Sequence, residues 1–305
     1  MAPRFELELH EYAAAVREMQ FLVSICAFEE PSYVSFLVAN TLHHTSASTH
    51  VVLNYINAAK PSHSVVAPHA RLHVNPRPIR VMRAHSSILD AHAANVKWMR
   101  HLPFEYVILQ ASNMVWCRQG MEFYVSNHTK SVRSFFNSTR LPCGECMCNR
   151  IDSARMLPDP CFVPAFGDLD VTVLVQGKHE GSFYPIGAFL DAYDSATAIH
   201  AWNRSGHECK HVNVSDLHDV KWPLEEVVVP TWFANFYDDA VHGHPLTHWI
   251  GSHVVPTLYP EVKARNVRQL RPELLEELRF CADLPVDRYA VKAGRNVATQ
   301  SSCVS

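Results

Sequence analysis

The sequence predicts an α/β fold, a mostly parallel sheet flanked by helices. Two observations carry this. The first 115 residues alternate short apolar runs of strand length with segments whose apolar residues recur at helical spacing. The composition, 48% hydrophobic and 19% charged over 305 residues, supplies apolar surface for a sizeable core.

The elements follow in order. Phe21 to Phe28 (FLVSICAF) is a buried strand by length and branching. Pro31 suits a helix start, where its missing N–H costs nothing, and Val34, Leu37, Val38, Thr41 and Leu42 continue at helical spacing. His50 to Ile56 is a second strand. A proline-rich connector (Pro61, Pro68, Pro76, Pro78) leads to a third, Ile79 to Ala84. Ser87 opens a helix in a capping-box-like pattern with Asp90, and Leu89, Ala93, Val96 and Arg100 line one side of it. Glu105 to Ser112 is a fourth strand. Beyond it, 133–160 reads as a long surface loop, Val171 to Gln176 as a strand, and Val227 to Val229 as part of a buried strand. Pro185 to Tyr193 and Pro272 to Phe280 read as short helices. Ligands of such sheets sit at the carboxyl ends of the strands.

Charge and cysteine usage narrow the function classes. A net charge of −3 and a pI near 6.7 argue against nucleic-acid binding, which draws its affinity from neutralised phosphates. Residues 1–20 are polar and charged, and the first apolar run is eight residues, far below the roughly 20 that span a bilayer. Membrane attachment is therefore expected only through an anchor not present in this sequence. Nine cysteines and four N-glycosylation sequons (Asn127, Asn137, Asn203, Asn213) lean toward a Golgi or secretory lumen, with a cytoplasmic setting as the alternative. Cys143, Cys146 and Cys148 lack a fourth metal ligand at convincing spacing, so disulfides involving Cys117 or Cys161 are preferred over zinc. The 20 histidines are scattered along the chain and read as compositional bias.

Several segments, in order, resemble the Core-2/I-branching β-1,6-N-acetylglucosaminyltransferase family (glycosyltransferase family 14, which includes the peptide O-xylosyltransferases). They are FLVSICAF, VVLNYIN, RVMRAHSSILDAHAANVKWM and FEYVILQASNMVWCRQGMEFYV in the first half. In the second half, Gly177-Lys-His-Glu-Gly-Ser-Phe-Tyr184 is similar to the family's Lys-Gly-Ser-aromatic segment. Pro223-Leu-Glu-Glu-Val-Val-Val-Pro-Thr231 is similar to its acidic motif, whose last acidic residue stands five positions before a threonine, as Glu226 stands before Thr231. Arg288 to Arg295 is similar to its terminal basic motif. The match covers roughly residues 20 to 296. It departs where relatives carry an acidic residue after the fourth strand, since Ala111-Ser-Asn113 stands here.

The resemblance implies a GT-A-type glycosyltransferase fold with a Rossmann-like sheet. Its boundaries would be an N-terminal extension (1–20), a single catalytic domain (21–296) and a C-terminal tail (297–305). Within the domain, 21–115 would be the nucleotide-binding half and 165–296 the acceptor and catalytic half. It implies inverting transfer from a UDP-sugar, with GlcNAc or xylose as the sugar, to a glycan or glycoprotein acceptor. No cofactor and no metal are expected. Glu226 would be the general base, with adjacent Glu225 as the alternative. Lys292 and Arg295, and more weakly Arg268 or Arg271, would hold the diphosphate. Ala27, Phe28, Asn54, Asn57, Arg83, Ser86 and Ser87 would contact the donor, with plain helix capping a sufficient role for Ser87. His179, Glu180 and Ser182 would line the acceptor side, although Glu180 equally suits a salt bridge with Lys178 or another cation. Trp232 would stack on a sugar, against a competing place in the core. The Asp168-Leu-Asp170 pair reads as a turn, with metal binding as the alternative. A metal-dependent transferase using that pair, and a non-catalytic glycan-binding protein on the same fold, are the competing functions.

Overall fold

The protein is described from a computed structural model, covering residues 19–56, 65–80, 87–128, 130–131, 135–140, 170–177, 179–204, 224–237, 242–250, 281 and 284–293. Four strands, β1 (Phe21–Ala27), β2 (Thr49–Tyr55), β3 (Leu72–Val74) and β4 (Tyr106–Ala111), are mutually parallel, and β9 (Phe183–Pro185) closes the edge antiparallel to β4. The order is β3-β2-β1-β4-β9, so the chain reverses its direction of travel between β1 and β4. Helix α1 (Pro31–His44) lies between β1 and β2, and α2 (Ser87–Met99) lies between β3 and β4.

Every residue of β1 is buried, because both faces of the sheet are covered. The strand period of two divides its side chains between two cores. Leu22 faces Leu89, Ala93 and Val96 of α2. Phe21, Val23 and Ile25 face Val34, Leu37 and Val38 of α1. Fully burying each such side chain contributes roughly 1.5–3 kcal/mol, which is why a run of seven apolar and small residues holds the centre of the sheet.

A second layer of elements places the later chain. Strand β5 (Met114–Trp116) pairs antiparallel with β12 (Ala290–Ala293), and β11 (Thr247–Ile250) pairs parallel with β12 on its other side. Helix α3 (Met121–Ser126) follows β5. A disulfide joins Cys117, just after β5, to Cys281. Two short strands, β6 (Lys130–Ser131) and β10 (His242–Gly243), pair in parallel, and β7 (Phe135–Arg140) pairs antiparallel with β8 (Val173–Gly177). Helices α4 (Ile186–Arg204) and α5 (Leu224–Phe236) pack on the α2 side of the sheet through Phe189, Val227, Val228 and Phe233.

Several expectations are corrected. The third described strand is Leu72–Val74, inside the proline-rich connector, where Pro76 and Pro78 lack the N–H groups that would extend its ladder; of the strand expected at Ile79 to Ala84, residues 79 and 80 are not strand and 81–84 lie outside the described residues. Residue 79 is held instead by a side chain, since the amide of Asn54 accepts from the Ile79 N–H at 2.7 Å and donates to its carbonyl at 2.9 Å. Val227–Val229 is helical, within α5. The run is buried on the α4 side by long-range packing, and packing overrides the strand preference of branched residues. The helix starting near Pro185 runs 19 residues, well past Tyr193. Residues 135–140, expected in a loop, form a strand because β8 supplies a distant partner. Asp90 receives the Tyr193 hydroxyl at 3.1 Å, tying α2 to α4, and burial with that carboxylate raises the Tyr193 pKa to about 12. The expected helix at 272–280 lies outside the described residues, as do Cys143, Cys146, Cys148 and Cys161. No helix among the described residues is long and apolar enough to cross a membrane.

Candidate active site

The loop between β8 and β9 is fixed by glycine. Gly181 has φ of +74°, and a β-carbon there would lie 2.7 Å from the backbone nitrogen of Thr247 and against its hydroxyl. This close approach lets the loop bond on two sides. The Gly181 N–H donates to Leu109 of β4 at 2.7 Å, and its carbonyl accepts from Leu246 at 2.8 Å. The preceding pair, His179 and Glu180, is thereby set beside the carboxyl-terminal half of β4.

Three further elements deliver polar side chains to the same place. Glu226 comes from the first turn of α5, where Pro230, four residues on, cannot donate the helical hydrogen bond to its carbonyl. Lys292 comes from β12, in register with Met114. His92 comes from α2. Nε2 of His179 lies 3.7 Å from Oε1 of Glu180, and Nδ1 lies 3.9 Å from Oε1 of Glu226. The Lys292 ammonium is bonded directly to Oε1 of Glu180. Side-chain exposure rises from 3% at Glu180 through 7% at His179 and 12% at Lys292 to 26% at Glu226. Glu226 is thus the member of the array that most faces water.

Behind this array the polarity continues into the core. The His92 ring centre is 6.4 Å from that of His179, and its Nδ1 meets Ser24 Oγ at 2.8 Å. Ser24 also accepts from Asn95, which in turn accepts from Asn75. Burial forces the His92 pKa down to about 3, with nearby His179 pushing the same way, so His92 is a neutral imidazole at ordinary pH.

The ends of β1 and β4 form a second, adjoining feature. The Ser112 hydroxyl donates to a carboxylate oxygen of Glu29, whose other oxygen accepts the Phe28 N–H at 3.0 Å. This bridge spans the point where the strand order reverses, the usual ligand crevice of an open α/β sheet. Phe28 beside it is 44% exposed. Glu29, two residues past the end of β1, is not among the residues that the resemblance singles out. The missing carboxylate after β4 hid the fact that one reaches Ser112 from β1.

The structure brings together Glu226, His179, Glu180, Ser182 and Lys292, although they come from three distant segments. Glu180 pairs with Lys292, another cation than Lys178, which lies outside the described residues. Ala27 is buried at the end of β1, next to exposed Phe28. Asn54 is fully buried with both ends of its amide occupied by Ile79, so its side chain organises the backbone beyond β2. Trp232 packs against Phe233 and the core on the α5 side rather than standing as an open platform. Ser87 is the first residue of α2, and Glu225 sits beside Glu226 in the first turn of α5. Asp170 is exposed, with φ of +55°, as the turn reading expects. Asn57, Arg83, Ser86, Asp168, Arg268, Arg271 and Arg295 lie outside the described residues.

Among the described residues, His179, Glu180 and Glu226 are the set whose nitrogen and oxygen atoms, within 4.8 Å of one another, come closest to a cation-sized cage. The Lys292 ammonium already occupies the Glu180 oxygen on one side of it.

No protein-family model matches the chain, and no curated protein matches its sequence. In fold the chain is similar to the crystal structure of the glycosyltransferase GlyE of Streptococcus pneumoniae TIGR4. The TM-score is 0.30 and the identity 10%, over 68% of this chain and 44% of that one. The chain thus spans less than half the length of that protein.

Proposed function

We propose that this chain is an inverting glycosyltransferase. It moves a sugar, GlcNAc or xylose in the first instance, from a UDP-sugar to a glycan or glycoprotein hydroxyl. Glu226 is its general base. The observation that carries the reading is the graded array at the strand ends, in which Glu226 is the water-facing carboxylate of an otherwise buried charged group. Such a carboxylate can take a proton from a hydroxyl arriving from the cleft. The Glu29–Ser112 bridge and exposed Phe28 at the strand reversal support a nucleoside there. Lys292 supplies a fixed cation, and this supports a leaving diphosphate balanced without a metal. A luminal setting is the corresponding expectation for localisation, supported by the Cys117–Cys281 disulfide.

The test is UDP release from a panel of UDP-sugars, with and without EDTA, for wild type and Glu226→Gln. EDTA-resistant turnover that disappears in the variant is the expected result. EDTA-sensitive turnover would instead make the reaction metal-dependent. Glycan binding without turnover of any donor would make the chain a non-catalytic binding protein. Full activity in Glu226→Gln would remove Glu226 from the base role.

A further inference from the structure

The array contains one group that general-base catalysis by Glu226 alone leaves without a task. His179 sits between two carboxylates, with one ring nitrogen toward each. Building on the glycosyltransferase reading, we propose that His179 is the proton's second station and that Glu180 is a positioning residue that sets the imidazole for that task.

The two carboxylates are not equivalent. Glu180 is 3% exposed and is in direct contact with the Lys292 ammonium. Glu226 is 26% exposed, so water screens its field. A neutral imidazole carries one N–H, and the less screened anion takes it. That places the hydrogen on Nε2, toward Glu180, and leaves the Nδ1 lone pair toward Glu226. The 3.7 and 3.9 Å separations exceed a hydrogen bond, as is common before substrate closes a site, and proton transfer requires them to shorten by about 1 Å. His92 cannot substitute, because its Nδ1 is held by Ser24 in the core.

The step balances as follows. The acceptor O–H bond breaks as its oxygen bonds the anomeric carbon. The bond from that carbon to the diphosphate oxygen breaks, and its electron pair leaves with the diphosphate. The proton passes to Glu226 and then to Nδ1 of His179. Glu226 is again a carboxylate, and the imidazolium lies between two anions. The arrangement has the logic of a nucleophile's histidine oriented by a buried carboxylate, moved here onto a glutamate base.

The experiment has two arms. In the first, long-range ¹⁵N–¹H correlation spectra of histidine-labelled wild-type protein, assigned with His179→Gln, read the tautomer. The Nε2–H form is expected for His179, and Glu180→Gln is expected to shift it toward Nδ1–H. An Nδ1–H tautomer in wild type overturns the proposal, and because this reading does not need Glu180→Gln it stands even where that variant folds poorly. In the second, Glu180→Gln and His179→Gln are each expected to lower kcat about 100-fold with KM changed less than about two-fold. The double variant is expected to be no worse than either single one, since the two act as a unit. Multiplying losses, or a change in KM alone, overturn it. No UDP release from any donor would overturn the transferase reading and remove the relay's proton source. Normal turnover with the wrong tautomer would overturn the relay alone.

Discussion

Gly181 packs directly against Thr247, leaving no room for a β-carbon between the loop that carries His179 and Glu180 and the strand that runs beside Lys292. The contact joins two halves of the site. Gly181→Ala would need both a positive φ and a displaced strand backbone. It is expected to cost about 3 kcal/mol or more, and to lower activity beyond what the stability loss explains. Urea denaturation with parallel activity measurements checks this. A variant as stable as wild type would mean that the two segments can separate freely.

Acid is expected to unfold the protein early. His92 has a pKa near 3 when folded and near 6.5 when unfolded. Between those values the unfolded chain takes up a proton that the folded one refuses, so stability falls as pH drops from 6.5 toward 3 and is fully present above 6.5. The full contribution is on the order of 3–5 kcal/mol. His44, His50, His73 and His248, all lowered chiefly by burial, push the same way. Thermal melting at pH 7.5 and pH 5 should show the loss, and His92→Gln should flatten part of it. An equally steep dependence in the variant would rule His92 out as a source.

Reduction is expected to destabilise the site platform. The Cys117–Cys281 bond links positions 164 apart in sequence and ties the end of β5 to the segment leading into β12. Cross-links of such long loops contribute about 3–5 kcal/mol, chiefly by restricting the unfolded chain. Melting with and without dithiothreitol, and in Cys117→Ala, should show a matching decrease. A reductant effect that persists in full in Cys117→Ala would point to another bond.

Asn54→Ala should act on stability before it acts on donor binding. It removes an acceptor and a donor that hold Ile79 in the interior, a loss of roughly 2 kcal/mol. Donor KM measured below the variant's melting range is expected to change less than kcat or stability. A large KM increase in a fully folded variant would return Asn54 to the donor site.

The sequence made the first crossover units readable, because β1, β2 and β4 are buried on both faces and so appear as mostly apolar runs. Pro31 and Ser87 marked the two helix starts as local chemistry should. What escaped were features decided at a distance. Strand β7 exists because β8 lies beside it, and Cys281 is a partner only because β12 folds back on β5. The valines before Pro230 looked like a strand because branching favours one, yet α4 and the sheet bury them as a helix. Glu226, Glu180 and Lys292 are each singled out by the family resemblance, and the fold gathers them around His179. Their order in the array, with the imidazole of His179 in the middle, depends on side-chain directions that spacing does not encode.

Lys292 reaches Glu180 on a strand that is made late. A chain still emerging from the ribosome holds Glu180, His179 and Glu226 long before it holds their counter-charge, and β12 has no place to pair until β5 and β11 are both exposed to receive it. Glu180 therefore waits for its described cation while 112 further residues are added. The strands β1 to β4 are made early, and the ion pair that ties β12 to the loop before β9 comes late.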